Sequence, residues 1–363
     1  MNKKSVCFVN TNRAWGGGEK WHFTTCQYLK GQGYETFLMT NTGSELFKKA
    51  EKSGLAVVSS YITNLSFLNP FKILFFISIF KSHRVDTVIM NLPSDLKVAG
   101  IAAKLAGVKN IIYRRGMPHP LRKTWLNRFL FKKVLTHVIV NSQEIARSLS
   151  EGNKKWFPTS KIVLIYNGVD TSIPLIPKAP LYQRQNDEIV IGNIGRLVDQ
   201  KGQKYLLDLV HNLKEDGLNV KLLIAGDGDL KDDLLQICRE HDIQNEVKLL
   251  GHVDDINAFM SSIDIFVFSS KFEGSANTLI ETLYFQKPIV AFDVSSNPEI
   301  IIHGETGLLA KPFDTEDLTE KVKALIQSKA DLEKFVQNGV KLLKERFDSA
   351  HNLEILKRII DKA

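Results

Sequence analysis

The chain has 363 residues, of which 44% are hydrophobic and 24% charged. At about 100–200 residues per domain this length suggests two domains, each with its own core, and the composition excludes a disordered or collagen-like chain. Cys7, Cys26 and Cys238 are too few and too scattered for a disulfide framework or a zinc site, which suits a reducing compartment. The opening MNKKSVCFVN lacks the apolar stretch of a secretory signal. The longest apolar run, Ile73 to Phe80, falls far short of the roughly 20 residues that cross a bilayer. The expectation is a soluble, cytoplasmic protein.

The net charge of +8 hides an asymmetry. Residues 1–175 hold 25 Lys and Arg against 9 Asp and Glu, or +16; the rest holds 23 against 31, or −8. Such a contrast supports two domains and asks what negative surface the first one faces. An anionic membrane leaflet is one answer, and a solubilising surface with no partner is another. Nucleic acid has little support, since no recognised motif and no interleaved surface aromatics occur.

In chain order, Ser5 to Val9 reads as a strand that ends in a loop, Asn10 to Gly18, and residues 19–32 as a helix. Strands follow at 36–39, 57–58, 87–90, 111–113, 138–140 and 162–165, with helices near 70–82, 95–106, 123–134 and 142–151. The run Ile73 to Phe80 reads as a helix packed on the sheet. Residues 171–187 contain three prolines and no periodicity, the composition of a linker. A second alternating set follows. Strands are expected at 189–194, 220–225, 247–250, 265–268 and 289–292, with helices at 202–216, 229–240, 254–261, 275–285 and beyond 315. Short β-branched runs alternating with helices imply parallel sheets covered on both faces, so the fold class is α/β with two Rossmann-like domains.

Open α/β sheets bind ligands at the carboxyl ends of their strands, which directs attention to three loops. Gly16-Gly17-Gly18-Glu19 follows the first strand and opens a helix, so backbone can approach an anion there; it is not a dinucleotide fingerprint. Arg196 and Lys201 lie five apart in Gly195 to Gly202, where a fork and a point charge can converge on a diphosphate. Alone, the pair reads sooner as two solvated cations on a surface loop. Glu273 to Glu281, EGSANTLIE, begins with an acid and carries a second on the helix that follows. Its small residues let the N–H groups of Asn277, Thr278 and Leu279 face a phosphate, and Glu281, between apolar Ile280 and Leu283, can accept ribose hydroxyls or pair with Lys287.

The ordered set GRLVDQKG, AGDGDL, Gly251-His252-Val253, EGSANTLIE, PIVAFDVSSNPEII and GETGLL resembles the second domain of retaining glycosyltransferases of family 4. The first half adds the GGGE loop, VIVNSQEIARSL and Asn167-Gly168-Val169-Asp170, so the resemblance covers nearly the whole chain. It implies the GT-B fold: two Rossmann-like domains whose parallel sheets face across a cleft that holds a nucleotide-sugar. The implied domains are an acceptor-side unit over 1–174 with a returning tail helix over 347–363, and a donor-binding unit over 188–346. Arg196 and Lys201 would hold the donor diphosphate, Glu281 the ribose, and Glu273 the transferred sugar, with Arg196, Lys201 and Glu273 catalytic. Val253 and the backbone of Asn277 to Leu279 would assist donor binding, and Gly16 to Gly18 would close over the donor. Relatives of this kind carry a histidine near the sugar where this chain reads Arg114-Arg115-Gly116, with His119 three residues on, which makes Arg114, Arg115 and His119 the acceptor-side candidates.

The implied activity is transfer, with retention, of a sugar from a nucleotide donor, UDP-linked, to a glycan or lipid-linked glycan in bacterial surface polysaccharide or lipopolysaccharide synthesis. No cofactor and no metal is expected, because neither the Arg196 nor the Glu273 loop contains Asp-x-Asp and fixed cations can oppose charge on the leaving diphosphate. Peripheral contact with the anionic inner leaflet suits the +16 half. A nucleotide-sugar epimerase of the same architecture, or a non-catalytic sugar-nucleotide or membrane-binding module, are the alternatives.

Overall fold

The computed structural model describes residues 3–362 apart from Gly152, Lys154, Lys155 and Asn186. The chain divides into two units, residues 1–167 with 350–363 and residues 168–349. In the first, the elements run β1 (Ser5–Asn10), α1 (Gly17–Gly31), β2 (Glu35–Thr40), α2 (Glu45–Lys52), β3 (Ala56–Ser59), α3 (Pro70–Ser82), β4 (Thr87–Met90), α4 (Pro93–Asp95), α5 (Ile101–Ala106), β5 (Asn110–Arg115), α6 (Trp125–Phe129), β6 (His137–Val140), α7 (Gln143–Glu151) and β7 (Ile162–Leu164). In the second they run β8 (Ile189–Ile194), α8 (Gln203–Glu215), β9 (Val220–Ala225), α9 (Lys231–Glu240), β10 (Val247–Gly251), α10 (Ile256–Ser261), β11 (Ile265–Phe268), α11 (Asn277–Tyr284), β12 (Ile289–Phe292), α12 (Asn297–Ile300), β13 (Leu308–Ala310), α13 (Thr315–Gln327) and α14 (Lys329–Arg346). The last helix, α15 (Ser349–Asp361), belongs from Ala350 onward to the first unit.

Both sheets are parallel throughout, in the orders β3-β2-β1-β4-β5-β6-β7 and β10-β9-β8-β11-β12-β13. Every residue of β1 is buried because helices cover both faces of its sheet. Alternate side chains feed two cores: Cys7 and Val9 join Phe76, Phe80, Ala102 and Phe131, whereas Val6 and Phe8 join Trp21, Leu29, Leu46, Leu356 and Ile360. The tail is stitched down by Lys4 Nζ on Ile360 O at 3.0 Å, Asn110 Nδ2 on Ile359 O at 3.1 Å and Tyr28 Oη on Glu354 at 2.8 Å. The second unit packs Ile191, Leu207, Val210, Leu222, Ile224 and Phe292 between its sheet and helices.

The Pro-rich segment 171–187 differs from the free linker its composition suggests. It lies along the second unit, held by Tyr284 Oη on Ile173 O, Asn257 Nδ2 on Ile176 O, the Lys178–Asp255 pair and the Leu181 N–H on Ser262 Oγ. Side chains of that unit satisfy backbone groups that no sheet partner reaches. The α3 run also differs in part from the expectation: Phe76 and Phe80 pack on the sheet, but Phe71, Leu74 and Phe75 are exposed.

Candidate functional site

A doubly wound sheet leaves a crevice where neighbouring strands send their chains to opposite sides, at the carboxyl ends of its first and fourth strands. In the second unit those strands are β8 and β11. The loop after β8 carries Arg196 and Lys201, and the loop after β11 carries Glu273. The two loops are laced together: Lys271 N–H donates to Gln200 O at 2.8 Å, Ser269 Oγ to Lys201 O at 3.0 Å and Gln200 Nε2 to Phe272 O at 2.9 Å, while Lys271 Nζ pairs with Asp199 at 2.6 Å. Lys201 Nζ meets Glu273 Oε1 at 2.6 Å, with 17% and 12% of the two side chains in solvent. The Lys201 stem runs past Gly195, and its ammonium lies over the Phe268 ring, 5.7 Å from the centroid.

Two glycines make this closeness possible. A Cβ on Gly202, whose φ is +63°, would sit 2.3 Å from Ser269 O. On Gly226, φ +144°, it would sit 1.9 Å from Gly195 O, so only glycine lets the turn after β9 press against the Arg196 loop. That contact is sealed by Leu197 N–H on Asp227 O at 3.0 Å and Leu230 N–H on Leu197 O at 3.1 Å. Arg196 itself is exposed, its carbonyl held by Gln203 Nε2 at 2.9 Å. The result is a surface guanidinium and a largely enclosed ammonium on one short turn, with one carboxylate balancing one of the two cations. Such a group can take a diphosphate.

Glu281 stands one helical turn after Asn277 on α11, half-buried. Lys287, its sequence-level alternative partner, donates to Ile263 O at 2.8 Å, and burial lowers its pKa. The first turn of α11 narrows the expected backbone cradle. Asn277 N–H bonds Ser275 O at 2.8 Å and Leu279 N–H bonds Ala276 O at 2.9 Å, because the helix begins in a tight turn; Thr278 lies between them. Val253 follows edge strand β10, half-buried, and Gly226 N–H on Gly251 O at 2.7 Å ties that loop to the one beside Arg196.

In the first unit the crevice position falls at β1 and β4. Gly16 and Gly17 lie exposed at the start of α1. Gly18 packs so closely that a Cβ would lie 2.6 Å from Asn91 Nδ2. Behind the loop is a buried polar cluster that sequence reasoning left unassigned. Glu19 accepts from Asn10 Nδ2 and Asn12 Nδ2, each at 3.1 Å. Asp95 accepts from Thr11 Oγ1 at 2.6 Å, yet burial raises its pKa to about 7. His22, edge-on to Phe8 and bonded through Nδ1 to Gly18 O at 3.0 Å, has its pKa lowered to about 3 by burial and by Arg114.

The acceptor-side candidates are placed differently from the expectation that they meet ligand anions. Arg114 is 2% exposed, stacks on Trp21 with 4.7 Å from guanidinium carbon to ring centroid, and donates to Asn167 Oδ1 at 3.0 Å. Burial lowers its pKa to about 10, which leaves it charged at neutral pH. Arg115 is buried too and donates to the His119 carbonyl, while the His119 side chain faces solvent. Both guanidiniums serve the interior of the unit: strand β5 alternates them onto its two covered faces. One sequence expectation needs a qualification as well. The Arg196 and Glu273 loops lack Asp-x-Asp, but Asp227-Gly228-Asp229 in the turn beside Arg196 has that spacing, with both acids exposed.

Residues 180–342 match the family model described as Glycosyl transferases group 1, and residues 15–173 the one described as Glycosyltransferase Family 4. An uncharacterized glycosyltransferase of Methanocaldococcus jannaschii is 33% identical over 213 residues, 53% of this chain and 52% of that protein, so the chain spans about half that relative's length. A Campylobacter jejuni protein, N-acetylgalactosamine-N,N'-diacetylbacillosaminyl-diphospho-undecaprenol 4-alpha-N-acetylgalactosaminyltransferase, is 27% identical over 78% of this chain and 79% of its own. The solved structure of Anabaena HepE in complex with UDP and glucose is similar with a TM-score of 0.81 and 20% identity, over 99% of this chain and 100% of that one. The two matched halves and the two parallel Rossmann-like sheets identify the chain as a group 1 glycosyltransferase of GT-B fold.

Proposed function

We propose that this glycosyltransferase moves a hexosyl group from a UDP-linked donor to a glycan or lipid-linked glycan, with retention at the anomeric carbon. The observation that carries the reading is the Lys201–Glu273 pair, held at 2.6 Å on two interlaced loops at the switch point of the second unit, with Arg196 on the same turn. UDP in the HepE structure and the diphospho-undecaprenol acceptor in the C. jejuni enzyme's name support the donor and acceptor classes. A role in bacterial surface polysaccharide or lipopolysaccharide synthesis, at the inner face of the membrane, goes with such an acceptor. Among the described residues no helix is long and apolar enough to cross a membrane.

The chemistry is a same-face substitution. The bond from the anomeric carbon to the donor phosphate oxygen breaks with its electron pair going to the diphosphate. The acceptor oxygen bonds that carbon, and its proton passes to the departing phosphate. Negative charge grows on the diphosphate, where Arg196 and Lys201 oppose it; prepositioned groups of this kind are worth a factor of about 10²–10³ each. Glu273 holds the Lys201 ammonium in place and accepts a hydroxyl of the sugar, Glu281 accepts the ribose hydroxyls, and Val253 and the Thr278 N–H line the nucleotide. The step needs no metal, since the cations that oppose the charge are protein side chains; Asp227 and Asp229 are the acids against which that claim is set.

Calorimetry against a panel of nucleotide-sugars, followed by nucleotide release and NMR of the product, tests the reading. A UDP-sugar should bind, turn over in the presence of EDTA, and give a product of unchanged anomeric configuration. A bound donor that Lys201→Ala turns over undiminished refutes it, and an epimerised sugar on intact donor would make the protein an epimerase instead.

A further inference from the structure

From Tyr61 to Gln143 the sequence carries 13 Lys and Arg and only two acids, Asp86 and Asp95. Asp95 is buried under Thr11, and Asp86 accepts the Ser5 N–H at 3.0 Å, at the amino end of β1. This stretch builds the helical layer α3, α5 and α6 on one face of the first sheet. Among their described residues α3, α5 and α6 themselves present no free carboxylate; α7, which packs on the same core through Ile145 and Leu149, carries Glu144 and Glu151. The α3–α5–α6 layer presents large apolar side chains instead. Leu65, Leu68, Phe71, Leu74 and Phe75 are exposed on α3 and the turn before it, Phe71 by 78%. Across α5, which contacts α3 and the turns that continue α6 over Leu130–Val134, Trp125 and Phe129 stand out on α6, Trp125 by 76%.

Cations are threaded between these groups. Lys72 lies over the Tyr61 ring at 5.5 Å and Lys97 over Phe67 at 5.6 Å, while Arg122, Lys123, Arg128, Lys132 and Lys133 are exposed around Trp125. Both helices start at the carboxyl edge of the sheet, since α3 follows β3 and α6 follows β5; Gly16 to Gly18 lie at that same edge. A protein partner's interface is depleted of charge at its centre, and a nucleic acid has no use for exposed leucines and phenylalanines along α3. Protruding aromatic and aliphatic side chains among unpaired cations suit the interface of an anionic bilayer.

We infer that the α3–α5–α6 face of the first unit is a docking surface for an anionic lipid bilayer, with Phe71 and Leu74 on one side and Trp125 and Phe129 on the other entering the headgroup region. The inference gives a surface to the membrane contact proposed above and rests on that reading for its purpose; its observations are independent of the transfer reaction.

The full chain mixed with vesicles of phosphatidylcholine containing phosphatidylglycerol tests it by co-sedimentation and by quenching of tryptophan fluorescence with brominated lipid. Binding should require phosphatidylglycerol, weaken in 0.5 M salt, and fall about 25-fold in Arg122→Gln/Lys123→Gln, about fivefold for each cation lost near such a surface. Trp125→Phe should bind yet lose most of the quenching, and Trp125→Ser/Phe129→Ser and Phe71→Ser/Leu74→Ser should each lose binding with an unchanged melting temperature. Equal binding to pure phosphatidylcholine, no binding to either vesicle, or quenching that survives Trp125→Phe overturns the inference. So does an oligonucleotide that binds and shields Trp125 when vesicles do not. Donor turnover without vesicles is measured alongside: its loss strikes the proposed function, whereas its persistence without vesicle binding strikes only the docking surface.

Discussion

Replacing Lys201 by Met keeps an apolar stem beside Gly195 and removes the charge, which leaves the Glu273 carboxylate without its partner at 2.6 Å. Breaking a buried pair from one side costs about 3–5 kcal/mol, and an exposed pair contributes at most about 1 kcal/mol. With 17% and 12% of the side chains in solvent, the pair lies nearer the buried limit, and about 2–3 kcal/mol is expected. For a unit of this size that lowers the melting temperature by about 5–10 °C. Adding Glu273→Gln removes the stranded charge, so Lys201→Met/Glu273→Gln should recover most of the lost stability. It should not recover turnover, because the diphosphate still lacks its ammonium; kcat stays about 10²–10³ below wild type. Scanning calorimetry and nucleotide release on the four proteins of this cycle separate the two roles. If turnover returns together with stability in the double variant, Lys201 does no more than neutralise Glu273, and the reasoning about the leaving group fails.

Gly226→Ala forces a Cβ to within 1.9 Å of Gly195 O at a φ of +144°, so the Arg196 loop must shift; donor affinity by calorimetry should fall at least tenfold, and unchanged affinity would show that loop to be idle. Gly18→Ala meets Asn91 Nδ2 at 2.6 Å and should cost about 1–3 kcal/mol by urea unfolding, the price of overpacking a tight site. Asp95, with a folded pKa of about 7 against about 3.9 unfolded, binds more protons when folded, so its contribution to stability falls as pH rises from about 4 to about 7. His22, at about 3 against about 6.5, binds fewer when folded and opposes that trend below pH 6.5. Asp95→Asn should therefore gain stability relative to wild type between pH 4.5 and 7, by up to about 1.4 kcal/mol per pH unit, and parallel unfolding curves would contradict the assignment.

Much of the architecture is written in local pattern. The buried run of β1 and the alternation of strands with helices announce two parallel sheets, and the loops after β8 and β11 carry their charges in plain view. Shorter pieces escape such reading: α2 hides its Ser44 cap before a largely polar helix, and β13 is three residues that only the neighbouring β12 makes a strand. Arg114 and Arg115 show the limit more sharply. As charged residues at a strand end they look like ligand contacts, but the burial of Arg114 depends on Trp21 and Asn167, which lie about 93 and 53 residues away in sequence. Glu19 escaped for the same reason, since its partner Asn10 lies nine residues earlier on β1 and nothing local marks the pair. The role of Gly226 was not assigned although its motif was visible, because the contact it permits belongs to another loop.

Helix α15 completes a core that β1 begins: Leu356 and Ile360 sit beside Val6 and Phe8. During synthesis β1 emerges well before α15, and the apolar interior they share closes only once α15 has followed. A product released after β7 and before α15 carries an unsealed sheet face that invites chaperone capture or proteolysis, so α15 acts as a tally that translation has run past all the residues between.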